Sequence, residues 1–283
     1  MTLLDHAGSQ PATLPAHERD LARGPAPQRR RKRPDRRAQL VELSTKTGRH
    51  LVAPIERWIG RHSPVGDTPF YDDAQFPWIE EIEAHWTEIR DELEAVLGDR
   101  ESIPAFQEVS TDQKSLSDDD RWKTYFLFGF GHEVPEHLAE CPRTAELLRS
   151  IPGMKTAMFS ILAPGKHIPP HRGPYKGVLR YHLGLVVPDP ADRSRIRVDQ
   201  EIRHWLPGKS MVFDDTYEHE VWNDTTGERV VLFVDVVRPL TGIAKPINDA
   251  VLWAIAHSPL VTDAVRRQRE IIETRRGRAK NAA

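Results

Sequence analysis

A chain of 283 residues, 39% hydrophobic, with a formal charge of −2 from 40 basic and 42 acidic side chains, has apolar mass for one substantial core and little beyond one domain with appendages. The near balance of charge excludes a surface built throughout for nucleic acid, so no specific nucleic-acid partner is expected. Cys141 is the single cysteine, which excludes an intrachain disulfide and a thiolate zinc cluster and fits a reducing, cytoplasmic setting.

Residues 1–38 are rich in Pro, Gly, Ala and Arg without apolar periodicity and read as a disordered tail that cannot repay its ordering entropy. The tail closes on a basic run, Arg29 to Arg33 with Arg36 and Arg37. Such a run suits peripheral contact with anionic lipid headgroups or local contact with nucleic acid, against the plainer reading of a solvated tail. No apolar signal core precedes it, and runs such as Leu183 to Val187 fall far short of the ~20 residues of a membrane span. No transmembrane segment is expected.

Between Trp78 and Leu97, Ile79, Ile82, Trp86, Ile89, Leu93 and Val96 recur at three- and four-residue steps, which predicts one amphipathic helix with Pro77 in its first turn. A second helix is predicted from Pro142 to Ile151, stopped by Pro152-Gly153. The period then changes to two. Ala157, Phe159 and Ile161 alternate with Met158, Ser160 and Leu162; Leu179, Tyr181 and Leu183 alternate with Arg180 and His182; Val230 to Val237 is β-branched. These are predicted strands. The breaks at Pro164-Gly165, Pro188-Asp189-Pro190, Pro207-Gly208 and Thr226-Gly227 have the turn chemistry and spacing of a barrel or jelly roll. From Ile247 to about Arg276 a closing helix is predicted, packed outside the barrel, with arginines collecting where cations suit the helix dipole.

Chemistry concentrates between Phe159 and Pro239. Arg180 and His182 are two apart on a strand and share a face, opposite Leu179, Tyr181 and Leu183. If the apolar set meets outer helices, the cation and imidazole point into the barrel mouth. A buried guanidinium calls for an anionic partner, and Arg229, sharing its face with Val231, Phe233 and Asp235, makes the same case. Two arginines on one cavity suit a dicarboxylate, although each alone suits a structural ion pair. His171, after Pro169-Pro170, and His219, in a loop-like stretch, lie 48 positions apart. Imidazoles from separate strands are a common way to hold non-haem iron. The carboxylate usual two residues after the first histidine is absent, because that place is Gly173. Two histidines alone fit a metal site or ordinary packing. Asp214 and Asp215 precede His219 closely enough to hydrogen-bond a metal ligand, or to cap a turn. His167 and His204 read as surface residues, and Trp122, Lys123 and Tyr125 as cleft lining or packing.

The stretches Pro170-His171-Arg172-Gly173-Pro174, Leu179-Arg180-Tyr181-His182-Leu183-Gly184-Leu185 and Glu218-His219-Glu220-Val221-Trp222 resemble the aspartyl/asparaginyl β-hydroxylase family, with the likeness running from Trp78 to Pro239. The resemblance implies a mainly β fold with flanking helices, a cupin-like double-stranded β-helix (jelly roll). It implies Fe(II) held by His171 and His219, and 2-oxoglutarate held by Ser160, Arg180, His182 and Arg229, with Arg229 on the far carboxylate and O2 as oxidant. The chain then divides into the 1–38 tail, a dioxygenase domain over 39–240 with its β-helix from about 120, and a helical extension over 241–283. Glycine at 173 resembles the branch that hydroxylates the β-carbon of Asp or Asn in peptides, the leading expectation. His171-Arg172 and Pro174-Tyr175 resemble the branch that hydroxylates acyl chains of lipid A or ornithine lipids. The open position at Gly173 also admits an iron-dependent halogenase, and a non-catalytic binding barrel is the rival of another class.

Overall fold

The structure is a computed structural model that describes residues 54–110 and 116–282; the tail and its basic run lie outside the described residues. Among the described residues there are eleven strands: β1 Phe70–Tyr71, β2 Trp122–Gly129, β3 His132–Glu133, β4 Met154–Leu162, β5 Lys166–His171, β6 Val178–Val186, β7 Ser194–Val198, β8 Glu201–His204, β9 Ser210–Phe213, β10 His219–Asn223 and β11 Arg229–Val237. Seven pair antiparallel in the order β1-β9-β6-β11-β4-β2-β3, and four in the order β5-β10-β7-β8. Each predicted strand is present, and the fold is the double-stranded β-helix. Pro169 and Pro170 fit β5 because it is an edge strand with no second neighbour awaiting their missing N–H.

Strand parity sorts the side chains into two cores. One face of the larger sheet, with Phe159, Ile161, Leu179, Tyr181, Leu183 and Leu232, packs against helices through Ile82, Ile89, Leu93 and Leu148. The other face turns Met158, Leu162, Phe213, Val231 and Phe233 towards Ile168, Ile196, Val198 and Val221 of the smaller sheet. Between β8 and β9 the Pro207-Gly208 turn needs glycine: Gly208 has φ +68°, and a Cβ there would sit 2.8 Å from the Trp86 ring.

Among the described residues eight α-helices flank the sheets: α1 over 54–61, α2 Trp78–Ala84, α3 Trp86–Leu97, α4 Phe106–Val109, α5 Pro135–Glu140, α6 Pro142–Ser150, α7 Ala244–Ala256 and α8 Pro259–Ala282. Two predicted helices are each a pair. The stripe over 78–97 breaks at His85 (φ −110°, ψ 16°), whose Nδ1 takes the Glu81 carbonyl at 2.8 Å while its N–H bonds Ile82 instead. The apolar period reports one buried face, and that face survives the kink. The C-terminal helix breaks at His257-Ser258 because Pro259 lacks an amide hydrogen and disfavours a helical residue before it.

Lys166, buried at the start of β5, pairs with Asp119 at 2.7 Å and ties the strand that ends in His171 to the segment before β2. Burial pushes the Asp119 carboxyl up, but hydrogen bonds from Lys166 and Arg121 outweigh it and hold the group down at about 2. A carboxyl lowered on folding contributes stability above its unfolded value near 3.8, and loses it as pH falls towards 2. Asp119→Asn is therefore expected to cost about 1–2 kcal/mol at pH 7, a few degrees in Tm. In thermal melts the gap from wild type should close on acidification to about pH 2.

Candidate active site

β5 ends in His171 and β10 begins with His219, and the two are register partners across the antiparallel pair. Their ring centroids lie 4.0 Å apart with planes inclined at 51°. His171 Nδ1 meets the Pro169 carbonyl at 2.8 Å, and His219 Nδ1 meets the Tyr217 carbonyl at 3.1 Å. A carbonyl only accepts, so each Nδ1 carries the proton and each Nε2 keeps a lone pair, the tautomer that metal ligation requires. Burial lowers His171 to about 4, aided by the charge of Arg180 and opposed by the Pro169 carbonyl. Burial lowers His219 further, with His171 and Arg180 adding to it. Both rings are neutral at physiological pH, as ligands must be. His219 is not in a loop, as its neighbours suggested. It opens a strand whose buried side alternates His219, Val221 and Asn223, a pattern masked by Glu218 and Glu220. Among the described residues no set of three His, Cys, Asp or Glu side chains is grouped to hold a metal.

Gly173 explains the missing carboxylate. Its N–H donates to the Asp215 carbonyl at 2.7 Å, and a Cβ at this position would lie 2.1 to 2.3 Å from the Asp215 carboxylate. Asp215 fills the space from which a ligand two residues after His171 would project. Burial pushes Asp215 up to about 7, against the pull of Arg180. Arg180 Nη2 lies 2.9 Å from Asp215 Oδ2, although neither Asp215 oxygen receives a well-directed hydrogen bond. Asp214 does a different job. Its Oδ1 caps Thr216 through N–H and hydroxyl, while its Oδ2 binds Lys176 at 2.8 Å and the Arg238 guanidinium. That buried network fixes the loop leading into His219.

The expected co-substrate residues divide in two. Arg180 and His182 do face the interior, opposite Leu179, Tyr181 and Leu183. Arg180 is not an unpaired charge, however: its Nε donates to Asp235 Oδ1 at 2.9 Å and its Nη2 to Oδ2 at 3.3 Å. Arg180 is therefore not an orphaned guanidinium, whereas Arg229 is. Arg229 is 2% exposed, its Nε and Nη1 have no hydrogen-bond partner, and burial pushes it down to about 9. Its guanidinium lies 4.5 Å over the Trp205 ring. Register places Arg229 opposite Leu162 and Val231 opposite Ser160 on β4, so Ser160 lies on the same inner face. Ser160 Oγ accepts from Trp122 Nε1 at 3.1 Å, which leaves its own proton to donate.

His182 is buried among Trp205, Phe213 and Phe233, with both ring nitrogens unpartnered. Burial holds it far below the usual imidazole value, reinforced by Arg229, Arg180 and His219. Trp205 Nε1 and the Thr124 hydroxyl, opposite Ser160 on β2, are orphaned too. Each buried polar group left unmade costs roughly 1–3 kcal/mol, and several on one wall are the signature of a site awaiting a polar guest. A cation among orphaned donors makes that guest an anion, so the residues present fit a carboxylate of 2-oxoglutarate, and the neutral imidazole pair fits a divalent metal.

Asp235 had shown its parity in the sequence through Arg229, without its partner being evident. Trp205, Thr124 and the Trp122 bond to Ser160 carry no sequence signal beyond being polar or aromatic. His167 and His204 are exposed as expected, with His167 stacked on Trp222. Trp122 and Tyr125 are packed.

Residues 83–239 match the family described as aspartyl/asparaginyl beta-hydroxylase. The ornithine lipid ester-linked acyl 2-hydroxylase of Rhizobium tropici is 49% identical over 220 residues, 78% of each chain. The human aspartyl/asparaginyl beta-hydroxylase is 33% identical over 206 residues, 70% of this chain but 26% of the human protein, so the chain spans about a quarter of that relative. Among solved structures, a Pseudomonas putida prolyl-4-hydroxylase overlaps 54% of this chain and 87% of its own at 18% identity and a TM-score of 0.35.

Proposed function

Because the chain belongs to the aspartyl/asparaginyl β-hydroxylase family, we propose that it is an Fe(II)- and 2-oxoglutarate-dependent oxygenase that hydroxylates an acyl chain of a lipid. The observation that carries the chemistry is the neutral imidazole pair on the same interior as one buried, unpaired guanidinium, with His182 acted on by both Arg229 and His219 between them. His171 and His219 would hold the metal through Nε2. Arg229 and Ser160 would take the far carboxylate, and His182 and Arg180 the oxygens nearer the metal. When bound, iron and 2-oxoglutarate supply the oxidising power to place an atom of O2 in an unactivated C–H bond, with succinate and CO2 as co-products.

The chain's own contribution is positioning. The Pro169 and Tyr217 carbonyls fix ring orientation at both histidines. Asp235 holds the Arg180 fork by two hydrogen bonds, so that guanidinium enters any complex already oriented. Phe213, Phe233 and Trp205 exclude water around His182, which strengthens each charge–dipole contact inside. The Asp215 carboxylate crowds the space over Gly173, which favours hydroxylation over the halogenase alternative.

For the substrate, the lipid reading rests on the Rhizobium relative, matched over 78% of both chains. The peptidyl Asp or Asn reading rests on the human relative, matched over 26% of its length. Gly173 does not choose between them, since its packing answers to Asp215. The test is to incubate purified chain, Fe(II) and 2-oxoglutarate separately with acyl-lipid extract and with Asp- and Asn-containing peptides. The expected result is succinate release matched by a gain of one oxygen on a lipid acyl chain. A gain on peptide alone would move the substrate, and no iron-dependent succinate in either arm would overturn the co-substrate reading.

A further inference from the structure

α7 carries apolar residues on its covered face and on its open face alike. Its inner face buries Ala244, Asn248 and Leu252, and Leu252 packs with Ile59 of α1 and Tyr175. Asn248 clamps the loop that follows His171: its Nδ2 donates to the Gly177 carbonyl at 3.0 Å, and its Oδ1 accepts from the Tyr175 hydroxyl at 2.8 Å. The outer face is apolar and open to solvent. Ile243 and Trp253 are each 65% exposed and Ile247 is 41% exposed, with exposed Pro246, Ala250 and Ala254 between them. At about 100° per residue these six form one stripe about 120° wide. Lys245 and Asp249, which pair with each other at 2.7 Å, lie beside the stripe and not within it. Trp253 is held outward by stacking on His257, ring centroids 4.4 Å apart.

Scattered exposed apolar residues need no explanation, but a continuous stripe on a helix marks an interaction surface. Two features choose the occupant. Trp and Ile on a helix that lies flat suit the boundary between headgroups and acyl chains, where an indole is half buried. The cations placed beside α7 are on α1, which packs on it and exposes Arg57 and Arg61. Two guanidinium groups there complement anionic headgroups.

We propose that the outer face of α7, carrying Ile243, Ile247 and Trp253, docks on the surface of an anionic lipid bilayer and thereby brings the loop after His171 to its substrate. The proposal rests on the acyl-lipid reading of the substrate. It is a different surface from the basic run of residues 29–37. No helix among the described residues is long and apolar enough to cross a membrane, so the contact is peripheral.

The 283-residue chain is sedimented with vesicles of phosphatidylcholine alone and of phosphatidylcholine with phosphatidylglycerol. The wild type is expected to partition onto the anionic vesicles. A variant with Ile243→Ser, Ile247→Ser and Trp253→Ser is expected to lose at least tenfold in partitioning while keeping its Tm and its affinity for 2-oxoglutarate. On detergent-dispersed lipid substrate the same variant should turn over as the wild type does, and on vesicles it should not. If dispersed lipid is no substrate for either protein, the acyl-lipid reading fails by itself, and the vesicle sedimentation still decides the docking face. Equal partitioning of variant and wild type overturns the proposal. So does a wild-type dimer that the variant converts to monomer in light scattering, which would assign the stripe to a second copy. Loss of binding only when Arg29 to Arg33 are changed to Gln, with the α7 variant unaffected, would assign the contact to the basic run.

Discussion

Replacing Arg229 by methionine is expected to raise the dissociation constant for 2-oxoglutarate by about 100-fold or more while leaving the metal-free protein as stable as wild type or more so. Both halves follow from one fact: the guanidinium is 2% exposed, with Nε and Nη1 unpartnered. Removing one member of a buried charge pair costs roughly 2–5 kcal/mol of binding. Replacing an unpaired buried charge by an apolar side chain of similar volume is neutral or stabilising by about 1–4 kcal/mol. Calorimetric titration with 2-oxoglutarate and a thermal melt without it measure the two quantities. A destabilised variant with unchanged affinity would mean that Arg229 is a structural cation.

The second large effect is a coupling. Gly173→Ala forces a methyl into the Asp215 carboxylate, with a contact of 2.1 Å to relieve, and Asp215 cannot swing freely because it is buried against Arg180. Overpacking of this kind costs about 1–3 kcal/mol. In an Asp215→Ala background the methyl has room, and Arg180 keeps its two bonds to Asp235. The same Gly173→Ala change should then be close to neutral. A double-mutant cycle on Tm or urea midpoint is expected to show a coupling of about 1 kcal/mol or more. Additive effects would show that the two residues do not compete for one space.

β4 and β6 are legible from alternation, as is the shared inward face of Arg180 and His182, while β11, buried on both faces, is legible from its β-branched run. Arg180's own partner was not legible. Its pairing with Asp235 is a matter of β6–β11 register, which no local pattern encodes. The same holds for Gly173 and Asp215, brought together across 42 positions by a single backbone hydrogen bond and a side chain. Around His219 the sequence looks loop-like because acidic neighbours conceal a strand whose buried positions are His, Val and Asn. The stripe over 78–97 looks like one helix because hydrophobic period reports a face, and a one-residue kink at His85 leaves that face unbroken. The open side of α7 is not legible for a related reason: both sides of that helix carry apolar residues, so periodicity alone does not say which one is covered.

Everything rests on the two neutral imidazoles acting together on one metal ion. Anaerobic equilibrium dialysis of Fe(II) against the wild type and against His171→Ala and His219→Ala tests this directly. One ion per chain is expected in the wild type, bound more tightly with 2-oxoglutarate present, and neither variant should retain it. Stoichiometric binding that survives both substitutions would contradict the account.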